Sequence, residues 1–141
     1  MKAFFDTPVL APVFYGDHER HESCVAAFKR YDKRQAACGA LSLAEVYSSL
    51  TRMPGRHRIS SEQAMLFVAA LRERLTIVAL TADEYFRCIE RNAALGVVGG
   101  TIYDALLAHC ALKAKAEAIY SWNTRHFQLL GQDVAKRLRT P

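Results

Sequence analysis

The stretch Lys2-Ala-Phe-Phe-Asp6-Thr-Pro8 has the pattern of a short buried strand that leads directly into a helix. Its apolar run stops at Asp6, and Pro8 lies where proline is tolerated, in the first turn of a helix. The pattern therefore places an acidic side chain directly after a strand. In open α/β sheets, ligands bind outside the carboxyl ends of the strands, so Asp6 is the first candidate for a functional residue.

The same alternation of short apolar runs and amphipathic segments continues along the chain. The predicted strands cover residues 2–5, 36–40, 76–80 and 118–122. The predicted helices begin near Pro8, cover residues 17–31, begin at Ser42, begin at Ser60 or Ser61, cover residues 81–95 and begin at Thr101, while residues 128–141 show no clear pattern. Because strands separated by helices need crossover connections, we predict one α/β domain over residues 1–141, with a mostly parallel sheet covered by helices on both faces.

The composition excludes several classes of protein. Hydrophobic residues make up 51% of the chain and charged residues 23%, which is enough apolar material for a core and excludes a disordered or fibrous protein. No run approaches the roughly 18 uncharged apolar residues that a membrane span needs, and the N-terminal stretch lacks the pattern of a secretion signal. We therefore expect a cytoplasmic protein. The four cysteines form no C-x-x-C pair, so we expect reduced, mostly buried thiols and no zinc ribbon.

The chain is basic, since 19 lysines and arginines against 14 aspartates and glutamates give a net charge of +5. A positive charge favours an acidic partner, such as nucleic acid or an acidic protein segment. Phosphate contacts by these side chains would bind nucleic acid without selecting a sequence, while a solvated surface is the alternative for each of them. The side chains concerned are Arg52, Arg56, His57, Arg58, Lys113, Lys115, Arg125, Lys136, Arg137 and Arg139.

Four oxygen-bearing side chains follow predicted strands or lie near the start of a predicted helix: Asp6, Glu45, Asp104 and Asn123. Each has a structural alternative. Asp6 fits a helix cap, Glu45 and Asp104 each end a Ser/Thr-x-x-Asp/Glu capping-box pattern, and Asn123 fits an Asx turn. On ideal helices, however, Glu45 and Asp104 lie well away from the apolar stripes, at about 100° per residue, so both could face a cleft at the sheet edge.

Three carboxylates in one cleft would repel each other by on the order of several kcal/mol for each close pair, at an effective dielectric constant of about 20. Such a cluster makes chemical sense if it holds a hard divalent cation. Mg²⁺ prefers oxygen ligands and keeps several waters, so two or three carboxylates suffice. Spacing alone leaves open whether the side chains converge.

Four segments of the chain resemble, in order, those of PIN-domain ribonucleases, and in particular the VapC toxins of prokaryotic toxin–antitoxin pairs. The segments are Phe4-Phe5-Asp6-Thr7-Pro8-Val9-Leu10, the helix around Glu45, Gly99-Gly100-Thr101-Ile102-Tyr103-Asp104-Ala105 and Ile119-Tyr120-Ser121-Trp122-Asn123-Thr124-Arg125-His126-Phe127. No single segment is diagnostic, but four in register over nearly the whole chain are a fairly specific signal. The resemblance implies a three-layer α/β/α sandwich with a mostly parallel central sheet, and an acidic pocket that binds Mg²⁺ or Mn²⁺.

By that resemblance, Asp6 and Asp104 are the main metal ligands, and Glu45 binds the metal directly or through water. Asn123 stands where the family often has a fourth acid, and its amide keeps an oxygen ligand but removes one negative charge. Pro8 is the other departure, because the family commonly has asparagine at this position. Proline there loses a polar side chain and a backbone donor.

The activity implied by the resemblance is hydrolysis of RNA phosphodiesters by a metal-activated water. The protein would be the toxin of a type II toxin–antitoxin pair, a homodimer that is blocked by a VapB-type antitoxin. Ser121, Thr124, Arg125 and His126 are further candidates for binding substrate, with local turns and helix caps as their alternative roles. Two other functions stay open: a PIN nuclease of RNA processing without a toxin role, and a non-catalytic basic module that binds RNA or protein.

Overall fold

Five short strands form one sheet, and every neighbouring pair of strands is parallel. The computed structural model describes all 141 residues. The strands are β1 (Ala3–Phe5), β2 (Ala36–Gly39), β3 (Thr76–Val78), β4 (Ala118–Tyr120) and β5 (Leu138–Arg139), and their order in the sheet is β3-β2-β1-β4-β5. Strands β2 and β3 are added on one side of β1, and strands β4 and β5 on the other side. The strand order therefore reverses at β1, which is where open α/β sheets leave a crevice for ligands.

Eight helices and two short 3-10 turns connect and cover the strands. The helices are α1 (Thr7–Leu10), α2 (His21–Lys29), α3 (Ala40–Thr51), α4 (Ser61–Arg74), α5 (Ala82–Ala94), α6 (Thr101–Lys113), α7 (Thr124–Gln128) and α8 (Gln132–Ala135). The 3-10 turns cover Ala11–Phe14 and Gly55–His57. No helix has both the length and the apolar character that crossing a membrane requires.

The sheet carries an apolar core on each face, because successive side chains of a strand point to opposite sides. Ala3 and Phe5 of β1 belong to one buried cluster with side chains of α1, α2, α3 and α4. Phe4, between them, belongs to a second cluster with side chains of α6, α7 and α8. The layers are helices, sheet and helices, which confirms the predicted α/β/α sandwich with a parallel sheet.

The starts of two helices differ from the prediction. The helix predicted over residues 17–31 is shorter and begins at His21. Before it, the chain forms a turn in which the backbone N–H of Arg20 donates to Nδ1 of His18 at 3.0 Å. α3 begins directly after β2, so Ser42 lies inside its first turn and does not cap it.

Other helix starts follow the prediction. Oγ of Ser60 accepts a hydrogen bond from the backbone N–H of Gln63, and Thr81 forms a complete capping box with Glu84. The C-terminal residues, which show no clear pattern in sequence, form α8 and then the edge strand β5. This strand pairs with β4 over two residues, so the tail completes the sheet.

All four cysteines are free and buried, which confirms the prediction for their side chains. Burial raises the pKa of Cys38 to about 12 and that of Cys110 to about 11. Because the thiolate is the reactive form of cysteine, these thiols stay protonated and serve as small apolar side chains.

The end of β2 approaches α6 so closely that it leaves no room for a side chain. A Cβ on Gly39 would lie 2.6 Å from Cδ2 of the buried Leu107, although its φ of −76° suits any residue. We expect Gly39→Ala to lower the free energy of unfolding by about 1–3 kcal/mol, because overpacking a filled core has that cost. Gly16→Ala is the matched control, since a Cβ there meets nothing within 4 Å. Urea unfolding followed by circular dichroism measures both variants, and equal stability would contradict the close contact.

Candidate active site

The four side chains singled out at the sheet edge line one cavity. Asp6 directly follows β1, Glu45 lies in α3, Asp104 lies in the first turn of α6, and Asn123 follows β4. All four contribute to a cavity of about 690 Å³ at the carboxyl edge of the central strands; we call it the acidic cavity. Elements that are far apart in the sequence thus bring three carboxylates and one amide to a common space.

Asp6 is fully buried and held by two hydrogen bonds. Its Oδ1 accepts from the backbone N–H of Thr7 at 2.9 Å, and its Oδ2 accepts from Oγ of Ser121 at 2.7 Å. Burial raises the pKa of Asp6 from 3.8 to about 7; the nearby carboxylates of Asp104 and Glu45 also raise it, while the two hydrogen bonds act in the opposite direction. Asp6 caps α1, as its structural alternative proposed, but it also lines the acidic cavity.

Glu45 is partly buried and is fixed through the residue that follows Asp6. Oγ1 of Thr7 lies 2.9 Å from Oε1 of Glu45 and 2.9 Å from Oγ of Ser42. Burial raises the pKa of Glu45, and the negative charge of Asp104 raises it further. The capping-box alternative for Glu45 is wrong, because α3 begins at Ala40 and has no side-chain cap.

Asp104 is held from the other side of the cavity. Its Oδ2 lies 3.0 Å from Nδ1 of His126, and its side chain is 16% exposed while that of His126 is 55% exposed. α6 begins at Thr101 without a side-chain cap, so the capping-box alternative is wrong here too. Of the two carboxylate oxygens of Asp104, Oδ1 has no protein partner.

The residues after β4 divide into two groups. Asn123 lines the cavity, and its side chain makes no hydrogen bond, so the Asx turn that was its structural alternative is absent. Ser121 is fully buried; its hydroxyl donates to Asp6 and accepts from the backbone N–H of Asn123 at 2.9 Å. It therefore positions the acid and is shielded from a substrate. Thr124, Arg125 and His126 lie outside the cavity lining, and only His126 contacts it, through Asp104.

The role of Thr7 is absent from the predictions made from sequence, while Arg52 is one of the basic side chains predicted there to contact phosphate. Thr7 bridges Asp6 and Glu45, and Arg52, at the end of α3, is the only basic side chain that lines the acidic cavity. Arg52 is exposed, and its guanidinium forms no ion pair or hydrogen bond. The only signals in the sequence are the position of Thr7 directly after the first acid and the place of Arg52 in a basic segment.

The donor set of the cavity fits a hard divalent cation, because every candidate ligand is an oxygen atom. No group of three or more His, Cys, Asp or Glu side chains is arranged to hold a metal ion by itself. Mg²⁺ keeps several waters and is usually bound through one or two carboxylates, so the arrangement meets its requirements. A cation would also offset the repulsion by which Asp104 and Glu45 raise the pKa of Asp6.

Comparison with known proteins agrees with the fold. The family model of the PIN domain matches residues 3–131. Ribonuclease VapC40 of Mycobacterium tuberculosis is 34% identical over 114 residues, which is 81% of each chain. Ribonuclease VapC27 of the same species is 33% identical over 113 residues, which is 79% of this chain and 78% of the relative.

Solved structures share the fold at lower identity. Mycobacterium tuberculosis VapC20, a sarcin–ricin loop cleaving toxin, superposes with a TM-score of 0.71 and 16% identity, over 89% of this chain and 92% of VapC20. VapBC2 from Rickettsia felis, bound to a DNA fragment from its promoter, gives a TM-score of 0.64 and 15% identity, over 99% and 98% of the two chains. Because the PIN-domain model spans most of the sequence and the VapC relatives match about four fifths of it, the chain belongs to the PIN-domain family and is similar to its VapC ribonucleases.

Proposed function

We propose that the protein is a metal-dependent endoribonuclease that acts as the toxin of a type II toxin–antitoxin pair. The observation that carries this proposal is the convergence of Asp6, Glu45 and Asp104 on one cavity at the point where the strand order reverses. The names of VapC40 and VapC27 support RNA as the substrate.

In this proposal, Asp6 and Asp104 are the main ligands of one divalent cation, Mg²⁺ or Mn²⁺, while Glu45 and the amide oxygen of Asn123 contact it directly or through bound water. When bound, such a cation polarises a phosphoryl oxygen and lowers the pKa of a coordinated water. The hydrogen bonds from Thr7 and Ser121 keep the carboxylate of Asp6 in a fixed orientation.

The protein side chains have separate tasks in the proposed hydrolysis. Glu45 accepts the proton of the attacking water, a task that suits a carboxylate whose pKa is raised by burial. Thr7 holds Oε1 of Glu45 and leaves Oε2 for the water. Arg52 binds a phosphate of the RNA at the rim, where its positive charge offsets the repulsion between the phosphate and the three acids.

We also propose a homodimer and a VapB-type antitoxin as the partners of the chain. An apolar stripe of α5 faces solvent, with Phe86 67% and Ile89 45% exposed, and Ala82 and Ala93 extend it at helical spacing. Exposed apolar patches of this kind mark protein interaction sites. The similarity to VapBC2 supports a VapB-type antitoxin as a partner.

Cleavage by the purified protein tests the enzymatic part of the proposal. Total bacterial RNA is incubated with the protein in Mg²⁺, in Mn²⁺ and in EDTA, and the cleaved ends are sequenced. Cleavage at defined positions that EDTA abolishes is the expected result. Binding of RNA without cleavage in either metal would favour the non-catalytic basic module.

Asn123→Asp is expected to shift half-saturation of cleavage to a lower Mg²⁺ concentration. The change adds a negative charge to the cavity lining, and hard cations prefer carboxylate to amide oxygen. The maximal rate need not rise, because the extra charge also repels RNA phosphate. Titration of activity against Mg²⁺ for the two proteins measures the shift, and coincident curves would place Asn123 outside the metal site.

A further inference from the structure

A second, smaller cavity adjoins the acidic cavity. It encloses about 260 Å³, and Pro8, Ala11 and Ser49 belong to the walls of both spaces. Its far wall includes Tyr15 and Arg20; we call it the Tyr15 cavity. Because Pro8 lies two residues from Asp6, a ligand in the Tyr15 cavity would sit directly beside the candidate catalytic acids.

The chemistry of the Tyr15 cavity differs from that of its neighbour. No carboxylate lines it, and its walls combine the aromatic ring of Tyr15 with apolar surface from Pro12 and Met53 and the cationic or polar groups of Arg20 and His18. Such a combination of an aromatic face with positive charge suits a nucleobase and its phosphate, since bases stack on aromatic rings whatever their identity.

Tyr15 and Arg20 are held in place before any ligand arrives. The hydroxyl of Tyr15 lies 2.7 Å from Nδ1 of His57, which ties the end of the first 3-10 turn to the second one. The rings of His18 and His57 both lie nearly perpendicular to that of Tyr15, so no aromatic ring stacks parallel to it. The guanidinium of Arg20 lies 4.2 Å from the centre of the Trp122 ring. Side chains fixed in this way lose little conformational entropy when a ligand binds.

We propose that the Tyr15 cavity binds one base of single-stranded RNA, that of a nucleotide next to the scissile phosphate, by stacking on Tyr15. This inference rests on the proposed ribonuclease function. The small volume accepts a single base, while the neighbouring acidic cavity takes the phosphate to be cleaved. The subsite thereby sets the position of the backbone relative to Asp6, without hydrogen bonds that would select one sequence.

Binding of RNA in EDTA tests the subsite without cleavage. Fluorescence anisotropy of a labelled, short single-stranded RNA is recorded against wild type, Tyr15→Ala and Tyr15→Phe over a range of salt concentrations. We expect Tyr15→Ala to weaken binding about tenfold, because the change removes the ring on which the base stacks. The slope of log K against log salt should stay unchanged, because that slope counts phosphate contacts. Tyr15→Phe keeps the ring and should bind within about twofold of wild type.

A matched control separates stacking from general damage. Tyr85→Ala removes a ring of the same kind from α5, where Tyr85 is 38% exposed, and should leave RNA binding unchanged. A series of RNAs with one abasic position each completes the test: wild type should lose affinity at one position, and Tyr15→Ala should lose nothing more there.

The outcomes distinguish this proposal from the proposed function. If the wild-type protein cleaves RNA and Tyr15→Ala has the same affinity and KM for RNA as wild type, the subsite alone is overturned. An equal loss for intact and abasic RNA would also overturn it, because the loss would then have no connection with a base. Failure of the wild-type protein to bind or cleave any RNA would overturn both proposals.

Discussion

Cleavage of RNA in Mg²⁺ should fall by at least about a hundredfold when either Asp6 or Asp104 is changed to asparagine. Both carboxylates line the acidic cavity, and a catalytic metal contributes several kcal/mol to stabilisation of the transition state, where about 1.4 kcal/mol equals a factor of ten in rate. Asparagine keeps the shape of the side chain but removes the charge that, in the proposed function, holds the cation. Gel analysis of RNA cleavage at a fixed protein concentration measures the effect.

Asp83→Asn is the control, because Asp83 is an exposed acid in the first turn of α5, outside the cavity lining. It should cleave RNA at the wild-type rate. Wild-type cleavage by Asp6→Asn or Asp104→Asn would remove that residue from the mechanism.

The same Asp6 variant makes a separate prediction about stability in the absence of metal. Folding raises the pKa of Asp6 from 3.8 to about 7, so the folded state resists ionisation of this side chain. Its burial therefore opposes folding increasingly as the pH rises from about 4 to 7, and most strongly above that range. In EDTA at about pH 8, Asp6→Asn should be at least as stable as wild type, and its advantage should shrink towards pH 4. A marked loss of thermal stability would show that Asp6 serves mainly as the cap of α1.

Growth of a bacterium should stop when the wild-type protein is induced and continue when the Asp104→Asn form is induced. The physical reason is again the loss of a negative charge from the acidic cavity. Without that charge we expect no RNA cleavage in the cell, and therefore no growth arrest. Optical density and immunoblots of the soluble fraction are followed together, so that expression is equal in the two cultures. Co-expression of a neighbouring antitoxin gene should restore growth.

If growth continues equally after induction of wild type and of Asp104→Asn, at equal soluble expression, the result would argue against the toxin role. If the purified protein still cleaved RNA in Mg²⁺, a nuclease of RNA processing would then be the better assignment. The growth test and the cleavage test thus separate the biological role from the chemistry.

Much of the fold could be predicted because its signals are local. The apolar runs at β1, β2, β3 and β4 and the cap at Thr81 mark elements within a few residues of themselves. The edge strand β5 could not be predicted, because Leu138–Arg139 contains no apolar run and becomes a strand only by pairing with β4. The start of α3 at Ala40 could not be predicted either, because no side chain caps this helix. The residue before it, Gly39, is set by its close approach to α6, which is a tertiary contact that the local sequence does not show.

The candidate ligand residues of the site could be predicted from the sequence, but the contacts that hold them in place could not. Asp6, Glu45 and Asp104 could be named from their positions after strands and near helix starts. The family resemblance implied their roles as metal ligands, and those roles stay a prediction. Ser121 resembled a turn-forming hydroxyl, because nothing near it in the sequence shows that β4 lies beside β1 and brings its hydroxyl to Asp6. The Tyr15 cavity depends on a contact with His57, which belongs to another part of the chain.

The pairing of β1 with β4 also sets the order in which function can arise during synthesis. Ser121, which fixes the carboxylate of Asp6, is synthesised 115 residues after it. Until β4 has been made, the central strand β1 has a neighbouring strand on one side only. Contacts between residues as far apart in sequence as Asp6 and Ser121 form late in folding. A nascent or prematurely terminated chain therefore carries its acids without the geometry that unites them. Under the proposed function, a cell that translates this protein is exposed to nuclease activity only after the segment with Ser121 has been made.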